Sequence, residues 1–88
     1  MNKKYIIGKR EKKWIEDFEK LCRSYCRDNK NIIISNCYYG LKEYRTQFYY
    51  CNSENICEPL SSPFITKIST LHQMKPETYL EFIIGVIF

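Results

Sequence analysis

Eighty-eight residues make one small domain, spanning 1–88, whose surface-to-volume ratio allows a modest core and excludes a deep, enclosed pocket. A hydrophobic fraction of 44% with 16% aromatics excludes a disordered chain and points to a sheet-rich core or an aromatic surface. The net charge of +4 is uneven: residues 1–30 carry ten basic and five acidic side chains, residues 31–88 four and five, so the positive field belongs to the N-terminal third. Such a field steers toward phosphate backbones, acidic protein surfaces or anionic lipid.

In chain order, residues 3–7 read as a short strand, with Gly8 as the break before a helix. Tyr5, Ile6 and Ile7 are too short an apolar run for an export signal. Residues 9–29 carry the clearest pattern. At 100° per residue, Trp14, Ile15, Phe18, Leu21, Cys22, Tyr25 and Cys26 fall within an arc of about 140°, the width of an apolar helix face. A helix of this kind must bury its stripe against a sheet or other helices. Lys12 with Glu16, Lys13 with Asp17, Glu16 with Lys20 and Glu19 with Arg23 stand four apart and add a few tenths of a kcal/mol each at best.

Residues 32–39 and 43–51 are rich in β-branched and aromatic side chains, and the connection Gly40-Leu41-Lys42 makes them a hairpin. Alternation places Tyr44, Thr46, Phe48 and Tyr50 against the helix and turns Arg45, Gln47 and Tyr49 toward solvent or a partner. Residues 52–63 read as a loop, punctuated by Asn52, Pro59 and Pro63. Residues 64–70 read as a third main strand. The final segment opens with Pro76 and Glu77, which suit a helix, yet its density of β-branched residues and Gly85 favour a buried strand over a helix for residues 78–88. Its apolar run falls far short of the roughly 20 residues of a membrane span.

Three constellations could carry chemistry. Cys22, Cys26, Cys37, Cys51, Cys57 and His72 are the thiol and imidazole inventory. Without an export signal the protein reads as intracellular, where free buried thiols come before a zinc site or a disulfide. The Cys51 and Cys57 spacing is wide for a zinc pair, no CxxC occurs, and nothing local marks a cysteine nucleophile for His72. The second constellation is a basic ridge: Lys9, Lys13, Lys20 and Arg27 lie within about 40° on the helix wheel, flanked by Lys12 and Arg23, and could track phosphates. Interleaved Glu16, Asp17 and Glu19 also fit an ordinary solvated face. The third is aromatic: Tyr39 or Tyr49 on a sheet could stack on single-stranded bases.

The fold expected is α+β, one long amphipathic helix packed on an antiparallel sheet of about four strands. With a terminal helix the α-β-β-β-α order would be that of double-stranded-RNA-binding domains, a likeness of topology alone, since Lys75-Pro76-Glu77 is nearly neutral. The function expected is non-enzymatic, without catalytic residues, metal or cofactor. The leading expectation is an inhibitor, immunity or accessory factor of a phage or mobile element that docks on a protein or protein–nucleic-acid complex, away from membranes. An Ile-, Lys-, Asn- and Tyr-rich composition without alanine, as AT-rich coding DNA gives, suggests that origin. The alternative is direct nucleic-acid binding through the ridge. Candidate contact residues are Lys13, Lys20, Arg23, Arg27, Arg45 and Tyr49.

Overall fold

The computed structural model describes residues 7–88, so the strand expected at residues 3–7 lies, apart from Ile7, outside the described residues, and Ile7 itself has no regular structure. Helix α1 (Lys9–Asp28) is followed by strands β1 (Ile32–Tyr39), β2 (Glu43–Cys51), β3 (Cys57–Pro59) and β4 (Phe64–Lys67), a 3-10 helix (Ile68–Gln73) and helix α2 (Pro76–Ile87). The four strands form an antiparallel sheet with β2 at its centre, β1 on one side, and β3 and β4 together on the other.

Helix α1 starts at Gly8, which provides no side-chain cap. Glu11, three residues on, folds back so closely that a Cβ on Gly8 would lie 2.7 Å from its carboxylate oxygen, as at a capping-box position. At the other end the backbone and side-chain amides of Asn29 both donate to the Tyr25 carbonyl. The expected apolar face is narrower than seven residues: Trp14, Ile15, Phe18 and Cys22 are buried, and Leu21, Tyr25 and Cys26 flank them half-buried.

Strands β1 and β2 pair without a bulge from Ile32 opposite Tyr50 to Tyr39 opposite Glu43, and Gly40, at φ +70°, supplies the left-handed residue the tight connection needs. On the other edge, the register places Pro59 opposite Tyr49 and Phe64 opposite Thr46. Two residues of β2, Gln47 and Phe48, therefore face the four residues 60–63, so β3 and β4 are one edge strand interrupted by a bulge. The loop expected at 52–63 thus contains a short strand. Inside the bulge Leu60 N–H donates to Phe48 O, and Gln47 Nε2 donates to Ser61 O at 2.6 Å. That bond reverses the expectation for Gln47, which is 5% exposed rather than turned to solvent.

The strand expected at 64–70 stops at Lys67 because its partner begins at Glu43. With no ladder left, Ile68 N–H bonds Lys42 O, Thr70 Oγ1 donates to Lys67 O, and the 3-10 turn directs Ile68 and Leu71 inward. The final segment is a helix and not a strand. Lys75 is its extended N-cap, Pro76 sits in the first turn, and Leu80 and Ile83 are buried with Tyr79, Ile84 and Ile87 half-buried beside them, a helical stripe. Gly85 is exposed with nothing within 4 Å of a Cβ, so it costs about 1 kcal/mol against alanine without interrupting any packing. Packing against α1 outweighs β propensity here.

The core joins these elements on one face of the sheet. Trp14 stacks on Phe18 at 5.1 Å, Tyr79 meets both rings at 5.7 and 5.3 Å, and Phe18 meets Tyr44 edge-on at 6.5 Å. Trp14 Nε1 donates to Met74 O and Tyr44 Oη to Glu19 Oε2, so the polar atoms of these buried aromatics are satisfied. Tyr44, Thr46 and Phe48 are inside as expected. Tyr50 is not: it stands between Ile32 and Glu58 near the end of β2 and is 46% exposed, although Ile32 beside it is buried.

Candidate docking surfaces

Both helices pack on the sheet face formed by Ile32, Ile34, Tyr44, Phe48 and Phe64, so the alternate residues of each strand form a second face that no helix among the described residues covers. The register builds that face row by row. Ile33 stands opposite Tyr49, which stands opposite Pro59; Cys37 is opposite Arg45, which is opposite Ile65; Tyr39 is opposite Glu43, which is opposite Lys67. Ile33, Tyr39 and Ile65 are 48%, 45% and 43% exposed. The Arg45 guanidinium lies 5.8 Å from the Tyr39 ring centroid, a cation–π contact that fixes the cation on the face.

The six candidate residues therefore do not form one site. Lys13, Lys20, Arg23 and Arg27 are exposed along α1, and Arg45 and Tyr49 are half-buried on the far side of the sheet. Sequence reasoning missed Ile33, Ile65 and Lys67 as their neighbours. The period-2 alternation was visible in each strand, but only the cross-strand register brings Ile65 and Cys37 to Arg45.

Along the ridge, Lys13 Nζ donates to both carboxylate oxygens of Asp17, at 2.9 and 3.1 Å, and this hydrogen bond, with the charge of Asp17, raises the lysine above its ordinary pKa. Of the four pairs anticipated, this one forms an ion pair. The carboxylate of Glu11 instead forms an ion pair with Arg10 Nε at 3.7 Å and accepts a hydrogen bond from His72 Nδ1 at 3.2 Å, which ties the 3-10 helix to the start of α1.

The cysteines divide three ways. Cys51 and Cys57 form a disulfide, against the expectation of free thiols. The five intervening residues that were too wide for a zinc pair make a hairpin loop, whose Asn52 Oδ1 accepts the amides of Glu54 and Ile56 and whose Asn55 is at φ 65°. Facing positions of β2 and β3 then hold the two sulfurs together. Cys22 is buried between α1 and β1, and burial pushes its thiol up to about 12, only partly offset by the Asn36 side chain. Burial likewise raises Cys26, against the Ile34 backbone. Thiols held protonated in this way are poor nucleophiles and poor metal ligands. Cys37 is free and exposed on the uncovered face. Among the described residues no group of three or more His, Cys, Asp and Glu side chains is arranged to hold a metal ion.

A cleft of about 870 Å³ opens between the start of α1, the β1–β2 connection and Lys67 to Ser69, lined by Gly8, Glu11, Leu41 and Lys42 among others. Among the described residues no helix is long and apolar enough to cross a membrane. Comparison with protein-family models, curated proteins and solved structures returns no match to this chain.

Proposed function

We propose that this protein is a non-enzymatic interaction protein that docks on a protein partner through the uncovered face of its sheet. The observation that carries the reading is the exposure of Ile33, Tyr39 and Ile65 around Arg45 and Tyr49 on a face that neither α1 nor α2 covers. Tyrosine and arginine are the side chains that anchor protein interfaces, and branched aliphatics around them exclude water. Arg45, already oriented by Tyr39, would meet a carboxylate, and the exposed lysines of α1 would steer approach without touching the partner. A role as an inhibitor, immunity or accessory factor rests on the chain's size and composition.

The test is quantitative affinity capture with four baits: the wild-type protein, Ile33→Glu with Ile65→Glu, Arg45→Ala, and Lys20→Glu with Arg27→Glu. The expected result is a partner retained by the last bait at reduced on-rate and lost by the sheet-face pair. Equal capture by the sheet-face pair would remove the reading.

A second reading has its own observation: Lys9, Arg10, Lys12, Lys13, Lys20, Arg23, Arg27 and Lys30 are all exposed on or beside α1. Direct binding of nucleic acid there predicts a fluorescence-anisotropy affinity that falls roughly a thousandfold or more between about 50 and 200 mM salt, if six or more phosphates are contacted. No binding at the lower salt would eliminate it.

A further inference from the structure

We infer that the Cys51–Cys57 disulfide is a reducible clasp that switches the segment around β3 between a docked and a released state. The inference begins with what holds β3. All three of its residues are exposed, so the strand buries no side chain of its own. It is kept in place by its short ladder with Tyr49, Tyr50 and Cys51, by the disulfide, and by the bulge contacts beyond it, Leu60 N–H to Phe48 O and Gln47 Nε2 to Ser61 O. An edge strand with so little buried surface opens at low cost once a covalent tie is removed.

The two sulfurs differ in access. Cys51 is buried and Cys57 is exposed, so an incoming thiolate reaches the Cys57 sulfur. A small dithiol would attack there, forming a mixed disulfide with Cys57 and expelling the Cys51 thiolate, which takes up a proton. The second thiol of the reagent would then close its own ring, expelling the Cys57 thiolate, which is protonated in turn. The dithiol leaves as a cyclic disulfide, two electrons having passed to the protein's pair.

Release changes more than a loop. Pro59 stands opposite Tyr49 at one end of the uncovered face, and the Ser61 carbonyl satisfies the buried amide of Gln47. Opening β3 removes one wall of the Tyr49 end and bares the edge of β2. The clasp therefore decides whether that end of the face exists, and this holds whether or not the face is where a partner docks.

Hydrogen exchange on the full chain, with and without dithiothreitol, tests the inference without any partner. Reduction at Cys51 and Cys57 is verified by thiol alkylation and mass. The expected result is that the amides of Tyr50 and of residues 52–62 exchange on the order of fiftyfold faster after reduction, the loss of closure that a ring with a sequence separation of 6 imposes, while the Cys51 amide, which donates to Asn31 O, keeps its protection. Amides of α1 and of the β1–β2 pairing nearer Glu43 should keep their protection. A Cys57→Ser variant should show the reduced pattern from the start and be indifferent to the dithiol. Unchanged exchange in the verified reduced protein would overturn the inference, because the ladder alone would be holding β3. Faster exchange throughout the chain would overturn it equally, because the disulfide would then be a support of the whole fold.

Discussion

The two faces of strand β2 carry alternate residues of one nine-residue segment and differ in what covers them. Tyr44, Thr46 and Phe48 are buried beneath the helices, and their polar atoms are satisfied inside the protein: Tyr44 Oη on Glu19, Thr46 Oγ1 on Asn36. On the other face Arg45 and Tyr49 are half-buried, with exposed Ile33, Tyr39 and Ile65 around them. Stability is therefore concentrated on one side of the strand, and the proposed docking surface lies on the other. A substitution changes one property or the other according to whether its number is even or odd. The rule holds from Glu43 to Phe48 apart from Gln47, over which the bulge folds, and it lapses at the strand's end, where Tyr50 is exposed and the disulfide-bonded Cys51 is buried.

The largest effect should come from the covered face. Phe48→Ala removes a fully buried ring that Tyr25 packs against at 6.2 Å, and should lower unfolding stability by about 3–5 kcal/mol, measured by urea denaturation. In a domain of this size that approaches the whole of the stability. A cost below about 1 kcal/mol would mean that the helices do not close over the sheet.

The next effect tests how dry that side is. Burial lifts Cys22 from an ordinary 9.0 to about 12, so the folded protein keeps a proton that the unfolded chain releases above pH 9. The unfolded state then binds fewer protons, and stability falls as pH rises from 9 toward 12. From Cys22 alone the loss at pH 10 is about 1.4 kcal/mol, read as a lower urea midpoint than at pH 8. Cys26, Tyr44 and Tyr79 are raised by burial too and act in the same direction. Cys22→Ala should flatten the dependence by the Cys22 share. A profile unaltered by that substitution would mean water reaches the space between α1 and β1.

A smaller effect, of opposite sign, separates the two helices. Gly85→Ala should stabilise the protein by about 1 kcal/mol, because Gly85 is helical, exposed and has open space around it. In a buried strand the added methyl would bring no such gain.

That contrast also marks what could be read from the residues. Helix α1 was legible because lysines and glutamates line its back, so only one side can be the inside. The hairpin was equally legible: the bounds 32–39 and 43–51 coincide with β1 and β2. Helix α2 was not, because exposed Phe82 and Val86 interrupt the polar side that Glu77, Thr78 and Glu81 begin, so residues 82–88 are apolar all round and show no readable period. The bulge and the early end of β4 depend on where β2 begins and on which β2 residues they meet, facts of register that no local window contains. The candidate contact residues were chosen by charge and alternation within single elements, which is why they fall on opposite sides of the molecule.

The smallest stability effect is expected on the uncovered face, and it decides how the binding experiment is understood. Ile33→Glu with Ile65→Glu replaces two side chains already close to half exposed, neither belonging to the core, so the urea midpoint should shift by no more than about 0.5 kcal/mol per site. The same pair places two carboxylates beside Tyr49 and Arg45, where a docked partner would have to strip them of water. Unchanged stability with lost capture assigns binding to this face. A large loss of stability would show instead that these isoleucines belong to the fold, and that the two faces of β2 are not the separate surfaces their exposure implies.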